Sequence, residues 1–389
     1  MQRENHSSLS NPVNRILRSI DPLVSSILDD ALGGKVPAQE EAIKLFECKG
    51  QELNALMLVA DELRHRTVGD VVTFVINRNI NFTNVCTARC SFCAFSKAPA
   101  EAGAYLLSAD EIGKRAEEAW KAGATEVCIQ GGLHPEIDAH FYESICITVK
   151  ERAPLIHIHA FSPMEIVYGA EKSGLSVKDH LKMLKESGLD SMPGTAAEIL
   201  DDQVREVICP RKIDVKTWIN VVKTAHKMAI PTTSTIMYGH VDRPEHWARH
   251  ITLLREIQKE TSGFTEFVPL SFVHENTPIY KDSIARPGAT GSEDVKMHAI
   301  SRLMLNNRIP NIQVSWVKLG PKLAQVCLNA GANDFGGTLM EESISRAAGA
   351  TYGQLISPAE IKRLIRDMGR IPAQRTTTYQ ILKSFGRRS

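Results

Sequence analysis

Hydrophobic positions near the start of the chain recur at helical spacing: Ile16, Ile20, Val24 and Ile27 in one stretch, Ala42, Leu45 and Phe46 in the next. A third helical stretch follows over 53–63. None of these segments carries a catalytic cluster, so residues 1–69 read as a helical extension packed on a larger body. From residue 71 the pattern changes to short β-branched runs alternating with amphipathic helices. The runs fall at 71–76 (continued by 80–83), 125–130, 155–160, 189–192, 231–237, 265–270, 311–316 and 332–334. Helix punctuation stands between them. Ser108-Ala-Asp-Glu111 is a capping box ahead of Ile112, Ala116 and Ala119, while Ser176 caps another helix and Gly188 stops it.

Eight strand segments separated by helices predict an α/β fold, a parallel (βα)8-type barrel over residues 70–335. Residues 336–389 read as a helical C-terminal extension, clearest from Pro358 to Met368. Composition changes little about the fold but narrows the function. A formal charge of +1 over 389 residues leaves no footprint for nucleic acid and none for a membrane surface. The N-terminus has no apolar signal core, and no run is long enough to span a bilayer. Five cysteines (Cys48, Cys128, Cys146, Cys209 and Cys327) are scattered singly, which fits reduced thiols in a cytoplasm better than a disulfide framework.

The other three lie together, as Cys86-Thr-Ala-Arg-Cys90-Ser-Phe-Cys93. Thiolates this close turn toward one point only if the loop wraps around something. A closed zinc site wants four ligands, usually as two separated knuckles, and the chain has no second CxxC. A 4Fe-4S cluster is ordinarily held by four cysteines, so three would leave one iron open and reactive.

In parallel barrels the reactive residues sit where strands end. Those positions here hold Gln130-Gly131-Gly132-Leu-His134, then His157-Ile-His159 with Ser162, Pro193-Gly-Thr-Ala-Ala-Glu198, Tyr238 and His240, Glu266, Ser315-Trp316-Val-Lys318, and Asn333-Asp334. Gly131 and Gly132 either admit a ligand close to the backbone or mark a tight turn. Glu198 reads as a first-turn acid favoured by the helix dipole or as a carboxylate on a cofactor. His134 and His159 suit substrate contact or simple interior hydrogen bonding, and Tyr238, His240, Glu266, Trp316 and Lys318 are similar cases. Cys128, inside an apolar strand, reads as a small packed hydrophobe rather than a fourth ligand.

CxxxCxxC with Phe92 just before its third cysteine resembles the radical S-adenosylmethionine superfamily. Asn81-Phe-Thr-Asn-Val-Cys86, Gln130-Gly-Gly-Leu-His-Pro135, His157-Ile-His-Ala-Phe-Ser-Pro-Met-Glu165 and Pro193-Gly-Thr-Ala-Ala-Glu-Ile-Leu200 resemble a narrower group. That group holds the deazaflavin-chromophore synthases and the futalosine-pathway menaquinone enzymes. Stretches at 232–240, 264–270, 311–318 and 332–340 look most like the CofH-type subunits of the former, and the likeness runs from about Arg78 to Tyr379. A single CxxxCxxC matches a stand-alone subunit rather than a two-module fusion.

The resemblance implies a radical SAM barrel in which Cys86, Cys90 and Cys93 hold a 4Fe-4S cluster and its open iron takes S-adenosyl-L-methionine. Phe92, Gln130, Gly131, Gly132, Ser162 and Glu198 are then expected at the cofactor. His134, His159, Tyr238, His240, Glu266 and Lys318 are expected at the reaction. The implied chemistry cleaves L-tyrosine and joins its 4-hydroxybenzyl fragment to 5-amino-6-(D-ribitylamino)uracil, leaving 2-iminoacetate, 5′-deoxyadenosine and methionine. Implied partners are a CofG-type radical enzyme that closes the ring and a low-potential donor, flavodoxin or ferredoxin. The alternative within the group is aminofutalosine synthase or cyclic dehypoxanthine futalosine synthase. Outside it stands a zinc-stabilised structural protein.

Overall fold

The computed structural model describes residues 11–386, so the first ten residues of the expected N-terminal extension lie outside it. β1 (Val71–Val75) and β2 (Asn77–Asn81) form one strand broken at Ile76. They are followed by β3 (Glu126–Gln130), β4 (His157–Ala160), β5 (Thr232–Tyr238), β6 (Phe264–Ser271) and β7 (Asp334–Gly337). Every ladder among them is parallel: β2 with β3, β3 with β4, β5 with β6, and β7 with β1. Two short segments fill the remaining gaps. His159 bridges Ser191 and Met192 bridges Thr232, while Phe267 bridges Ile312 and Gln313 bridges Asp334. The ring closes where Asn79 N donates to Leu339 O at 2.7 Å. The eight strand positions expected from the sequence are therefore the staves of a closed barrel, two of them reduced to bridges.

Helices cover the outside, and their starts are where side-chain chemistry sets them. Glu111 N donates to Ser108 Oγ at 3.3 Å while Ser108 N donates to Glu111 Oε2 at 2.8 Å, a capping box that opens the helix Ala109–Lys121. Ser176 Oγ accepts from Asp179 N at 3.1 Å and caps Val177–Glu186, without the reciprocal backbone bond. The N-terminal helices Gln39–Phe46 and Gln51–Val68 pack on Pro244–Thr261 and Gly291–Leu305. Phe46 meets Trp247 edge-on at 5.0 Å, and Lys296 Nζ donates to Phe46 O at 2.8 Å. Their apolar faces join the same buried cluster as the barrel, so the extension completes the core instead of hanging from it. No helix among the described residues is long and apolar enough to cross a membrane.

The expectation of a purely helical segment after residue 335 is corrected. β7 crosses that boundary, and beyond the helix Pro358–Asp367 the chain forms the antiparallel hairpin β8 (Ile371–Arg375) and β9 (Ile381–Ser384). β8 also runs parallel to β1, from Val71 opposite Ile371 to Phe74 opposite Gln374, on the side away from β7. Ile-Pro-Ala-Gln-Arg has no alternating pattern, and a proline inside so short a run argues against a strand, which is why the hairpin escaped notice. Its consequence is large: the end of β8 enters the bottom of the barrel.

Candidate active site

A cavity of ≈ 410 Å³ extends from the cysteine loop, past the C-terminal ends of the strands, to Arg375 at its floor. The two-residue period of each strand decides what lines it. β2 contributes Asn77, Asn79 and Asn81, β3 Glu126, Cys128 and Gln130, β5 Thr233, Thr235 and Met237, and β6 Glu266, Val268 and Leu270. The interior is thus unusually polar for a closed barrel. That signal was present in the sequence as Asn77-x-Asn79-x-Asn81 and Glu126-x-Cys128-x-Gln130, polar side chains at every second position of strand-like runs. Cys128, expected to pack within its strand, faces this space.

Cys86, Cys90 and Cys93 all line the upper cavity, in a loop pinned by its backbone. Cys86 N donates to Lys97 O at 3.2 Å, Cys93 N to Cys90 O at 3.0 Å, and Ser91 N to Ile208 O at 3.0 Å. The glycine pair lets β3 abut this loop. A Cβ on Gly132 would stand 2.2 Å from Val85 O and 2.9 Å from Cys86 Cβ, and one on Gly131 would enter the Phe82 ring at 2.4 Å. Gly131 N is already committed to Glu165 Oε1 at 3.0 Å. Among the described residues no three His, Cys, Asp or Glu side chains gather to hold a single metal ion. Three soft thiol donors facing one cavity have the donor chemistry of an iron–sulfur cluster, and the residues present fit that group. Burial pushes the Cys90 and Cys93 thiols up, and the Lys212 ammonium pulls them back.

Lys212 was not singled out in the sequence, where Cys209-Pro-Arg-Lys212 matches no motif. Its Nζ lies 2.5 Å from Glu198 Oε1 and 5.2 Å from the centre of the Phe92 ring. Although burial works against it, Glu198 lifts the Lys212 ammonium above its usual range; Glu198, also against burial, is held below its own by Lys212. Glu198 is placed by a left-handed backbone (φ 47) rather than a helical first turn, with Met237 N donating to its carbonyl at 2.7 Å. Phe92, Gln130, Gly131, Gly132, Ser162 and Glu198 therefore border one space with the three cysteines. Ser162 is also the cap of Pro163–Lys172, paired with Glu165, whose carboxyl burial pushes up to about 7 against hydrogen bonds from Ser162 and Gly131.

Of the residues expected at the reaction, His159, Glu266 and Lys318 line the cavity. His159 Nδ1 lies 2.7 Å from Ser191 Oγ, and burial lowers the ring's pKa to about 4, so it is neutral at pH 7. Lys318 Nζ donates to Ser345 Oγ at 3.2 Å, and burial lowers its pKa as well. His134, Tyr238 and His240 do not line it, and their expected placement is corrected. Tyr238 is on the outward face of β5, donating to Asp294 Oδ1 at 2.7 Å. His134 and His240 fold back on their own turns: Glu136 N donates to His134 Nδ1 at 3.2 Å, and Val241 N to His240 Nδ1 at 2.8 Å. At the floor, Arg375 was missed because it arrives from the C-terminal hairpin rather than from a strand end.

Comparison with known proteins agrees with this geometry. Residues 80–254 match the radical SAM superfamily, and residues 261–386 match the CofH/MqnC C-terminal region. The 5-amino-6-(D-ribitylamino)uracil–L-tyrosine 4-hydroxyphenyl transferase of Methanocaldococcus jannaschii is 56% identical over 349 residues, covering 89% of this chain and 97% of that protein. FO synthase of Mycobacterium tuberculosis is 52% identical over 342 residues, which span 88% of this chain but 40% of that protein. The crystal structure of methylornithine synthase shares the fold, with a TM-score of 0.70 over 89% of this chain and 97% of that one at 19% identity. With more than half of all aligned positions shared along nearly the whole of a relative, the chain belongs to the radical SAM superfamily and, within it, to the family of the 5-amino-6-(D-ribitylamino)uracil–L-tyrosine 4-hydroxyphenyl transferases.

Proposed function

We propose that this chain cleaves L-tyrosine and transfers its 4-hydroxybenzyl fragment to 5-amino-6-(D-ribitylamino)uracil, a step in making a deazaflavin chromophore. The observation that carries this reading is the meeting of three thiols and a strongly polar barrel interior in one cavity. A uracil with a polyol arm needs many hydrogen-bond partners, and Asn77, Asn79, Asn81, Glu126, Gln130 and Glu266 offer them.

Cys86, Cys90 and Cys93 would hold a 4Fe-4S cluster that, with S-adenosyl-L-methionine bound, supplies one-electron bond cleavage and hydrogen abstraction. The protein's own part is binding, orientation and exclusion of water. Gly131 and Gly132 keep β3 against the cysteine loop. The Glu198–Lys212 pair offers a carboxylate and an ammonium beside Phe92, suited to the polar ends of an amino-acid-bearing nucleoside. His159, neutral and held by Ser191, is available as a hydrogen-bond partner without adding charge.

A CofG-type radical enzyme taking the product and a flavodoxin or ferredoxin feeding electrons complete the proposal. That the chain spans 40% of FO synthase leaves room in that relative for a second module. The test is anaerobic incubation of the reconstituted protein with tyrosine, the ribitylaminouracil, S-adenosyl-L-methionine and a reductant. The adduct and 5′-deoxyadenosine are expected together by mass spectrometry. Consumption of a futalosine-type substrate without that adduct would move the chain to the menaquinone branch.

A further inference from the structure

Arg375, from beyond the eight barrel staves, joins Glu126, Glu266 and Gln313 of the staves at the cavity floor. Arg375, the last residue of β8, donates to Asp334 Oδ2 at 2.5 Å and to Asp334 Oδ1 at 3.0 Å, and stands 3.6 Å from Glu266. Tyr379, in the turn toward β9 with φ 68, holds its ring 4.0 Å from the Arg375 guanidinium and donates its hydroxyl to Glu266 Oε2. Gln313 Nε2 donates to that same oxygen at 2.8 Å. Both donors therefore hold one oxygen of Glu266, and Oε1 has no partner among the described residues. Glu126 Oε1 accepts from Asn77 Nδ2 at 2.8 Å. Beside them the buried Asn79 Oδ1 has no hydrogen-bond partner.

Charge sharpens the picture. Asp334 takes the bidentate bonds of Arg375, Glu266 stands 3.6 Å from the same guanidinium, and Glu126 has no cation of its own in hydrogen-bond reach among the described residues. Glu126 is held below the usual carboxylate range and burial pushes Glu266 up to about 7, so what faces the cavity is a set of oxygen acceptors whose surplus negative charge rests mainly on Glu126. Such a floor repels a carboxylate and attracts a group rich in N–H and O–H donors. Both substrates of the proposed transferase carry donors, but L-tyrosine brings a carboxylate beside its ammonium, whereas the ribitylaminouracil offers ring N–H, amine and several hydroxyl donors and no carboxylate. We propose that this floor is the uracil substrate's subsite: Glu266 and Glu126 accept its donors, and Tyr379 is a positioning residue that fixes which oxygen of Glu266 faces it. L-Tyrosine then sits above, nearer the cysteine loop. The assignment rests on the transferase reading.

Glu266→Gln is a sharp test. Tyr379 and Gln313 both donate, so they keep the amide oxygen on their side and turn the amide nitrogen toward the cavity, reversing the polarity offered to the substrate. Equilibrium binding of the ribitylaminouracil and of L-tyrosine is measured separately on the anaerobically reconstituted wild type, E266Q and Y379F. Melting temperature and iron content confirm that each variant is folded and loaded. Expected is an affinity loss of about ten-fold or more for the uracil in E266Q, and a smaller loss in Y379F, with tyrosine affinity moving less than about three-fold. Y379F keeps the ring over Arg375 and removes the hydroxyl alone, so it remains informative should E266Q fail to fold. Weaker tyrosine binding with intact uracil binding, or no change in either, overturns the subsite. A wild type that neither binds the uracil nor forms the adduct overturns the transferase reading and the subsite with it.

Discussion

Lys212 Nζ lies 2.5 Å from Glu198 Oε1, and the two side chains keep only 15% and 13% of their surface in water. A pair this enclosed is worth less as an attraction than its breakage costs, because removing one partner strands the other's charge. Lys212→Met is therefore expected to destabilise the apo protein by about 3 kcal/mol. Adding Glu198→Gln should return part of that loss. Urea denaturation of the two single variants and the double variant checks it; strictly additive losses would show that the two groups are not coupled.

Gly132 faces the cysteine loop at a distance that admits no side chain. The atom a Cβ would meet is Val85 O, a backbone group that cannot swing aside as a flexible side chain would. Gly132→Ala should push the loop outward and misplace Cys86, leaving the barrel folded. Iron and sulfide content after anaerobic reconstitution is expected to drop to less than about half of wild type, with the circular dichroism spectrum unchanged. Full cluster loading in the variant would mean that the close approach is dispensable.

The fold was largely legible because eight strand-like runs separated by helical stretches leave few arrangements other than a parallel barrel. The metal loop was legible because its three cysteines are adjacent in sequence. The rest of the site was only half so. Tyr238 and Met237 are neighbours at the end of one strand, and a single step of register decides which of them faces the cavity; burial on both faces of β5 hides that parity. Lys212 reaches the cavity from a loop and Arg375 from the C-terminal tail, with Tyr379 against it, and their positions depend on tertiary packing that no local pattern encodes.

Tyr238, outside the cavity and bonded to Asp294, is accordingly expected to serve the barrel wall and not the chemistry. Its hydroxyl satisfies Asp294, a carboxyl that burial pushes up to about 6. Tyr238→Phe should cost about 1–2 kcal/mol of stability through the unpaired buried group. Turnover of the reconstituted enzyme should stay within about two-fold of wild type, since a contact outside the cavity leaves transition-state binding alone. A loss of turnover far exceeding that, at unchanged stability, would return Tyr238 to the reaction.

His250, buried in the helix Pro244–Thr261, accepts from Leu200 N through Nδ1 and meets Thr235 O through Nε2, both at 2.9 Å. Those two bonds together fit only the neutral ring with its proton on Nε2, since a proton on Nδ1 would oppose the Leu200 amide. Burial lowers the pKa from 6.5 to about 3. The unfolded chain takes up the proton near pH 6.5 while the folded one refuses it, so the contribution is complete above pH 6.5 and is lost as pH falls toward 3. Between pH 6.5 and 5.5 the loss for one such ring is about 1 kcal/mol. His250→Gln keeps an acceptor and removes the titration. Urea midpoints of the apo protein at several pH values should show the stability gap between wild type and variant shifting against the wild type by that amount over this interval. A gap independent of pH would mean that the ring titrates alike in both states, and that the buried site does not hold it neutral.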